Sequence, residues 1–378
     1  MDYLTLTLEG DHYTQGWQHG RQVQSLQPQI ARAIAAQVQR EDQFVQAQRA
    51  GAPAGGHARF ERLLQETRDL LQEIDAPLLD LIRGQAEALA FEFDTLLRYS
   101  LGIYLGDAIH GDVTRQSHAA EGCTTWAATG SATVAGADGT SGPLLAKSRD
   151  YRSEHLSLQV VIQVTPQSGY RYICSGSAGC PGVFCAGINH AGLAVADTHV
   201  TSTDLGPGLP DYSLMMHLLE EHDCVSSALD YLRSVPRMGR NNLILADAHG
   251  HLAVFEIGHR TYSLFETHDG VLVNTNHFAS PELRACFVDA NAAHLKGNSV
   301  QRHEHATRAL RAALGRIDVP FAQRLMATHA GPLASLCRHP AEGCSWSTIS
   351  ASIFLPARRA MLFCHGLPCQ GRYDEFVV

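Results

Sequence analysis

The stretch Gly122-Cys123-Thr124-Thr125-Trp126-Ala127-Ala128-Thr129 divides the chain into two textures. Ahead of it, apolar residues recur at helical spacing; behind it they alternate, as they do on strands. The boundary is a polar run, GDVTRQSHAAEG at residues 111–122, with neither period. A Gly-Cys step where such a loop becomes a strand has a chemical reading. If the chain is cut before Cys123, thiol nucleophile and α-amino base sit on one new terminal residue. The amine, with a pKa of about 7.7–8.0, is poised for proton transfer, whereas a free thiol at about 8.5 is only partly ionised. The same thiol can make the cut by attacking the Gly122 carbonyl, giving a thioester that water resolves. Glycine leaves that approach unobstructed. The competing reading is a buried cysteine at a strand start.

Working outward, residues 1–9 alternate and predict a strand, with Gly10, Gly16 and Gly20 around the helix start that follows. Phe60, Leu63, Leu64, Thr67, Leu70, Leu71 and Ile74 form the apolar stripe of a helix over 58–74, after a Gly/Ala/Pro-rich loop over 50–56. Helical character continues over 78–89 and 96–109. Beyond Cys123, strands are expected at 123–129 and 144–148, joined by a turn at Asp138-Gly139, then at 156–165 and 170–174. Further strands are expected at 193–200, 243–247, 252–257, 262–265, 271–275, 347–355 and 360–365. Helices interrupt them at 213–221, 225–233, 303–314 and 321–327. Short strands in hairpins with helices in separate blocks imply an α+β layered sandwich and exclude a doubly wound parallel sheet.

At 378 residues the chain can bury a large core, as one layered domain or as several. A net charge of −9 argues against nucleic acid or an anionic membrane as the main partner. No apolar run reaches the ~18 residues of a membrane helix, and the first residues carry neither a basic nor an apolar leader, so a cytoplasmic enzyme is expected. Composition leaves a homo-oligomer open. The ten cysteines include no CxxC pair, which argues for reduced thiols over structural zinc or a disulfide lattice. The 21 histidines include no HExxH, and His303 and His305 around Glu304 suit a solvated helix start. No metal is expected.

Six blocks then bear on family. Gly10-Asp-His-Tyr-Thr-Gln-Gly16 is followed by His19-Gly20-Arg21, then by Gly122-Cys123-Thr124-Thr125. Gly187-Ile188-Asn189 precedes Gly192-Leu193-Ala194-Val195. Thr275-Asn276-His277-Phe278 precedes Ser299 and Arg302. Thr348-Ile349-Ser350-Ala351 and Gly366-Leu367-Pro368-Cys369 close the series. In this order they resemble the acyl-coenzyme A:6-aminopenicillanic acid acyltransferases (isopenicillin N acyltransferase), which are N-terminal nucleophile hydrolases. The resemblance covers nearly the whole chain. It implies a four-layer αββα sandwich of two antiparallel sheets and self-cleavage into an α chain (1–122, mainly helical) and a β chain (123–378). It also implies chemistry at an amide or thioester bond of a small molecule. Cys123 is then the nucleophile, Asp150 the carboxylate that orients its α-amino group, and Asn276 an oxyanion donor. Arg302 either anchors a substrate carboxylate or braces the site. No cofactor is implied; acyl-CoA, if used, is a substrate.

Two departures from the family pattern stand out. Lys147-Ser148-Arg149-Asp150 has lysine where a planar guanidinium fork is usual. Asp197-Thr198-His199 occupies a stretch where related enzymes place an oxyanion-hole asparagine, so a backbone N–H near Thr198 or the His199 side chain must substitute. Asn189 reads as a hairpin-turn residue. Two rival functions remain: an unprocessed binding protein, and a serine hydrolase using Ser177 in Ser175-Gly176-Ser177-Ala178-Gly179, which echoes a nucleophile elbow.

Overall fold

The alternation in Leu4, Leu6 and Leu8 forms strand β1 (Leu4–Gly10), and the helical stretch after it becomes α1 (His12–Gln22), α2 (Gln27–Arg49), α3 (Gly56–Ile74), α4 (Ala76–Leu89) and α5 (Phe93–His110). These come from a computed structural model that describes residues 3–49, 56–110, 122–134, 142–287, 298–340 and 346–378. Beyond the junction lie β2 (Thr124–Thr129), β3 (Leu144–Arg152), β4 (Gln159–Pro166), β5 (Tyr172–Ser177), β6 (Ala186–Asn189) and β7 (Ala194–His199). Helices α6 (Asp211–Glu221) and α7 (Val225–Ser234) follow, then β8 (Asn241–Ala246), β9 (Leu252–Ile257), β10 (Tyr262–Thr267) and β11 (Gly270–Asn274). The chain ends with α8 (Pro281–Arg284), α9 (Asn298–Ala312), α10 (Val319–Met326), β12 (Trp346–Leu355), β13 (Ala360–His365) and β14 (Tyr373–Val377).

The strands form two sheets. One has the order β1-β4-β5-β6-β7-β8-β9-β10, the other β11-β2-β3-β12-β13-β14. Period-two alternation on β2 and β3 sends Trp126, Ala128, Leu144 and Ala146 outward against Leu310 of α9 and Met326 of α10. It sends Ala127 and Leu145 inward, where they pack on Val161, Ile188, Ala196 and Ile244 of the other sheet. The far face of that sheet, with Leu6, Val160 and Ile162, is covered by helices of the N-terminal half together with α6 and α7. The result is helices, sheet, sheet, helices, as expected.

Differences from the expected elements have local causes. Strand β6 is four residues long with Gly187 inside it, too short for its period to show. Asn189 ends β6 and holds the turn: its Oδ1 accepts from the N–H groups of Gly192 (3.1 Å) and Leu193 (2.9 Å). Strand β1 pairs with β4 in parallel, the exception in otherwise antiparallel sheets, because alternation encodes faces and not direction. Residues ahead of the junction thus supply an edge strand to a sheet made by residues behind it. Helix α9 begins at Asn298, before the expected start, and its middle is partly buried, not a solvated face. The expected turn at Asp138-Gly139, residues 50–55 of the loop expected over 50–56 and residues 111–121 of the polar run lie outside the described residues, while Gly56 already begins α3.

Gly16 of α1 and Gly84 of α4 let two helix backbones cross without intervening side chains. A Cβ on Gly16 would overlap the Leu81 carbonyl, and one on Gly84 the Tyr13 carbonyl. Beside this crossing the fully buried His19 accepts from the Gly179 N–H at 3.0 Å. Gly84→Ala should therefore lower the denaturant midpoint by the equivalent of about 1–3 kcal/mol. An unchanged midpoint would show that the two backbones do not meet.

Candidate active site

Cys123 lies one residue ahead of β2, between β3 and β11 in the smaller sheet. Odd-numbered residues of β2 and β3 face the larger sheet, so Thr125 and Lys147, which pair in register, point into the interlayer. Lys147 reaches β7 there: its Nζ is 2.6 Å from Asp197 Oδ1 and also donates to the Asp197 carbonyl. The Cys123 thiol is buried and 3.7 Å from the Asp150 carbonyl oxygen. Burial pushes its pKa up to about 11, with the Lys147 charge the main opposing influence. Burial also works against the Lys147 ammonium, but its charged neighbours, Asp197 foremost with Cys123 and Cys185, together outweigh it and hold the pKa above the ordinary lysine value.

Asp150 lies on the even-numbered face of β3, beside Gly122. Its Oδ1 accepts from Thr348 Oγ1 at 2.6 Å, and Oδ2 lies 3.7 Å from Arg338 Nη1. Oδ2 makes no hydrogen bond among the described residues. A Cβ on Gly122 would overlap both Asp150 Oδ2 and Arg338 Nη1, so the position admits only glycine without rearrangement. Burial raises the Asp150 carboxyl above the ordinary aspartate value, against the pull of Arg338, Arg302, the Thr348 hydroxyl and Lys147.

Arg302 is fully buried and braces the junction. Its Nη1 donates to the Cys123 carbonyl (2.5 Å) and to Thr124 Oγ1 (2.9 Å), Nη2 to Asn276 Oδ1 (2.8 Å), and Nε to Asn298 Oδ1 (2.8 Å). All four of these bonds run to groups of the chain itself. A guanidinium only donates, so it fixes which way the Asn276 amide faces. The Asn276 NH2 group points away from Arg302 and gives one hydrogen to the His199 carbonyl at 2.8 Å, leaving a second for another acceptor.

The expected donors near Thr198 and His199 are constrained by their neighbours. Val200 donates to Arg240 O across β7 and β8, and antiparallel alternation from that bond puts the Thr198 N–H on the β8 ladder. The His199 Nε2 accepts from Arg240 Nη2 at 2.7 Å, so it has no proton to offer there. The two departures from the family pattern, Lys147 and Asp197, are partners in one ion pair. Arg338 was not foreseen: it stands in an irregular segment, and nothing local marks it.

Ser177 is fully buried, accepts from Arg149 Nη2 (3.1 Å) and lies 3.1 Å from His155 Nδ1. Burial and the charges of Arg149, Arg152 and Arg40 drive the His155 pKa well below its usual value, which makes it a poor base near neutrality. The lack of a CxxC pair does not keep metal-ligand side chains apart. The fold gathers His329, Cys337, His339 and Cys369 into one cluster.

Residues 136–370, more than half of the chain, match the family model described as acyl-coenzyme A:6-aminopenicillanic acid acyl-transferase. The chain belongs to this family. The match takes in Lys147, Asp150, Asn276, Arg302 and Arg338, and begins downstream of Cys123. Among solved structures, the chain is similar to a mutant of the conjugated bile acid hydrolase from Clostridium perfringens, at 12% identity and TM-score 0.46, over 68% of this chain and 97% of that one. It is also similar to the penicillin V acylase from Agrobacterium tumefaciens, at 17% identity and TM-score 0.38, over 65% of this chain and 75% of that one. Comparison with curated protein sequences gives no match. Membership of the acyl-transferase family supports an enzyme acting on acyl groups of small molecules, and no helix among the described residues is long and apolar enough to cross a membrane.

In the uncut chain, alkylation of Cys123 by iodoacetamide should be slow at neutral pH and rise with pH toward a midpoint near 11. Lys147→Met removes the charge that favours the thiolate, so it should move the profile to higher pH. A profile unaffected by this substitution would place Lys147 out of electrostatic reach of the thiol.

Proposed function

We propose that the chain cuts itself between Gly122 and Cys123, and that the freed Cys123 is the nucleophile of an amidohydrolase or acyltransferase working through an acyl-enzyme. The observation that carries this reading is the buried Asp150 Oδ2, which lies against Gly122 and makes no hydrogen bond among the described residues. With only the Arg338 guanidinium at 3.7 Å to offset its burial, such an oxygen is costly to leave without a hydrogen bond. A new α-ammonium on Cys123 would be a well-matched partner for it.

The thiol's raised pKa, about 11, supports a two-stage history. At neutral pH only about one thiol in ten thousand is ionised in the uncut chain. That suffices for a reaction each molecule performs once, in which sulfur attacks the Gly122 carbonyl and water resolves the thioester. Once the peptide bond is cut, the neutral α-amine takes the thiol proton directly and the base requirement is met on the same residue.

In turnover, the Cys123 sulfur adds to the substrate acyl carbon as its α-amine gains the proton. The spare Asn276 N–H and the Lys147 ammonium, which the Asp197 pair holds in the interlayer, stabilise the oxyanion. The Cys123 α-ammonium then protonates the departing amine, leaving a thioester and a neutral α-amine. Water resolves it in a hydrolase, an amine in an acyltransferase. Pairing of β1 with β4 keeps the fragments 1–122 and 123–378 together after the cut.

Denaturing mass spectrometry of active protein should show two fragments, ending at Gly122 and starting at Cys123, while Cys123→Ala stays whole. A single full-length species in a turning-over sample would overturn the proposal, and full-length protein that binds small amides without turnover would favour a binding role. A panel of N-acyl compounds should yield an acyl adduct on Cys123 in single-turnover trapping.

The pH dependence supplies a second test. The base must be neutral, so acylation should rise with pH, and the Asp150 carboxylate, by stabilising the ammonium, should hold the midpoint above about 8. Asp150→Asn in the cleaved enzyme should lower that midpoint as well as the rate. A midpoint indifferent to the substitution would remove Asp150 from contact with the amine.

A further inference from the structure

The cluster His329, Cys337, His339 and Cys369 has no part in the chemistry proposed for Cys123. Three of its residues come from the irregular segment after α10, and Cys369 comes from the turn between β13 and β14. Their ligand atoms all lie within 4.8 Å of one another. The Nε2 atoms of His329 and His339 approach to 3.2 Å, and His339 Nε2 lies 3.3 Å from Cys369 Sγ. A tetrahedral zinc with bonds of about 2.3 Å to sulfur and about 2.0–2.1 Å to nitrogen places N···N at about 3.3 Å and N···S at about 3.6 Å. The observed separations are close to this without any metal to impose them.

We infer that His329, Cys337, His339 and Cys369 form a Cys2His2 site for a single zinc ion. Two imidazoles that aim Nε2 at each other share one proton at best, whereas a cation between them satisfies both lone pairs. Two soft thiols with two imidazoles select zinc over calcium or magnesium, which take oxygen ligands. Four protein ligands fill a tetrahedral shell and leave no open position, so the ion is structural. On binding, both thiols give their protons to solvent and zinc exchanges its waters for two thiolates and two neutral imidazoles. The scaffold is already in place: the Leu336 and Cys337 N–H groups both donate to Thr328 O at 3.1 Å, folding Cys337 back toward His329.

The position of the site gives it a consequence. Arg338 stands between two of the ligands. Its N–H donates to Thr348 Oγ1 at 2.8 Å, its carbonyl accepts from Thr348 N at 2.9 Å, and its guanidinium faces Asp150 and Gly122. Zinc therefore pins both sides of the residue that caps the Asp150 carboxylate. The site itself does not depend on the role proposed for Cys123.

The test uses the full-length protein, purified without chelator. Elemental analysis should find one zinc per chain after desalting, and cobalt(II) exchanged into the site should show the absorption of a tetrahedral thiolate complex. His329→Ala and His339→Ala, at exposed positions, should each lose the bound metal while keeping the circular dichroism of the parent. Cys337 and Cys369 should resist a thiol reagent until a chelator is added. No retained metal after incubation with equimolar zinc, metal that persists unchanged in both histidine variants, or a Cys337–Cys369 disulfide in freshly purified protein would each overturn the proposal. Metal content is read independently of turnover, so failure here and failure of self-cleavage are distinguishable.

Discussion

The Arg302 guanidinium holds together everything around Cys123. Burying a cation costs several kcal/mol unless its donors are met, and burial lowers the pKa of this one to about 10. Hydrogen bonds to the Cys123 carbonyl, Thr124 Oγ1, Asn276 Oδ1 and Asn298 Oδ1 offset that cost. Those acceptors come from the start of β2, the chain just after β11, and the first residue of α9. Removing the cation would strand several buried acceptors at once. Its position therefore fixes the carbonyl of the proposed nucleophile, the orientation of the Asn276 amide and the docking of α9 together.

Around this brace the charges are divided between the two faces of one sheet. Lys147 and Asp197 form an ion pair in the interlayer beside the thiol, and Asp150 with Arg338 lies on the opposite face beside Gly122. The ammonium counters, without abolishing, the effect of burial on the thiol. A carboxylate at Asp197 would by itself have worked against a thiolate. Paired with Lys147 it becomes a means of holding a cation in place, so two residues that each look unsuitable singly make sense as a pair.

The fold was legible to a large degree because its signals are local. The stripe from Phe60 to Ile74, the alternation from Leu252 to Ile257 and the final pair of long strands all came through nearly at their expected bounds. β6 was too short to signal itself, and the parallel direction of β1 has no signature in side-chain alternation. At the site, Cys123 was named from its setting and Asp150, Asn276 and Arg302 from the family resemblance, and the fold brings the four to one junction. Thr198 and His199 were named too: alternation puts the Thr198 N–H on the β8 ladder, and the donor-only neighbour at Nε2 leaves the His199 ring proton on Nδ1.

The sequence by itself determined an α+β layered sandwich and the change of period at Gly122-Cys123, since period and order along the chain suffice for these, while the four layers and the candidate site residues came from the resemblance carried by its motifs. Only the tertiary structure decided what depends on distance between remote segments. It joined Lys147 to Asp197 and set Arg338 against Asp150. It turned Arg302 from a helix residue into a buried brace, and it gathered four ligands whose spacing along the chain gave no hint of a cluster. Residues remote in the chain meet because the sheets stack, and no local pattern records which ones will.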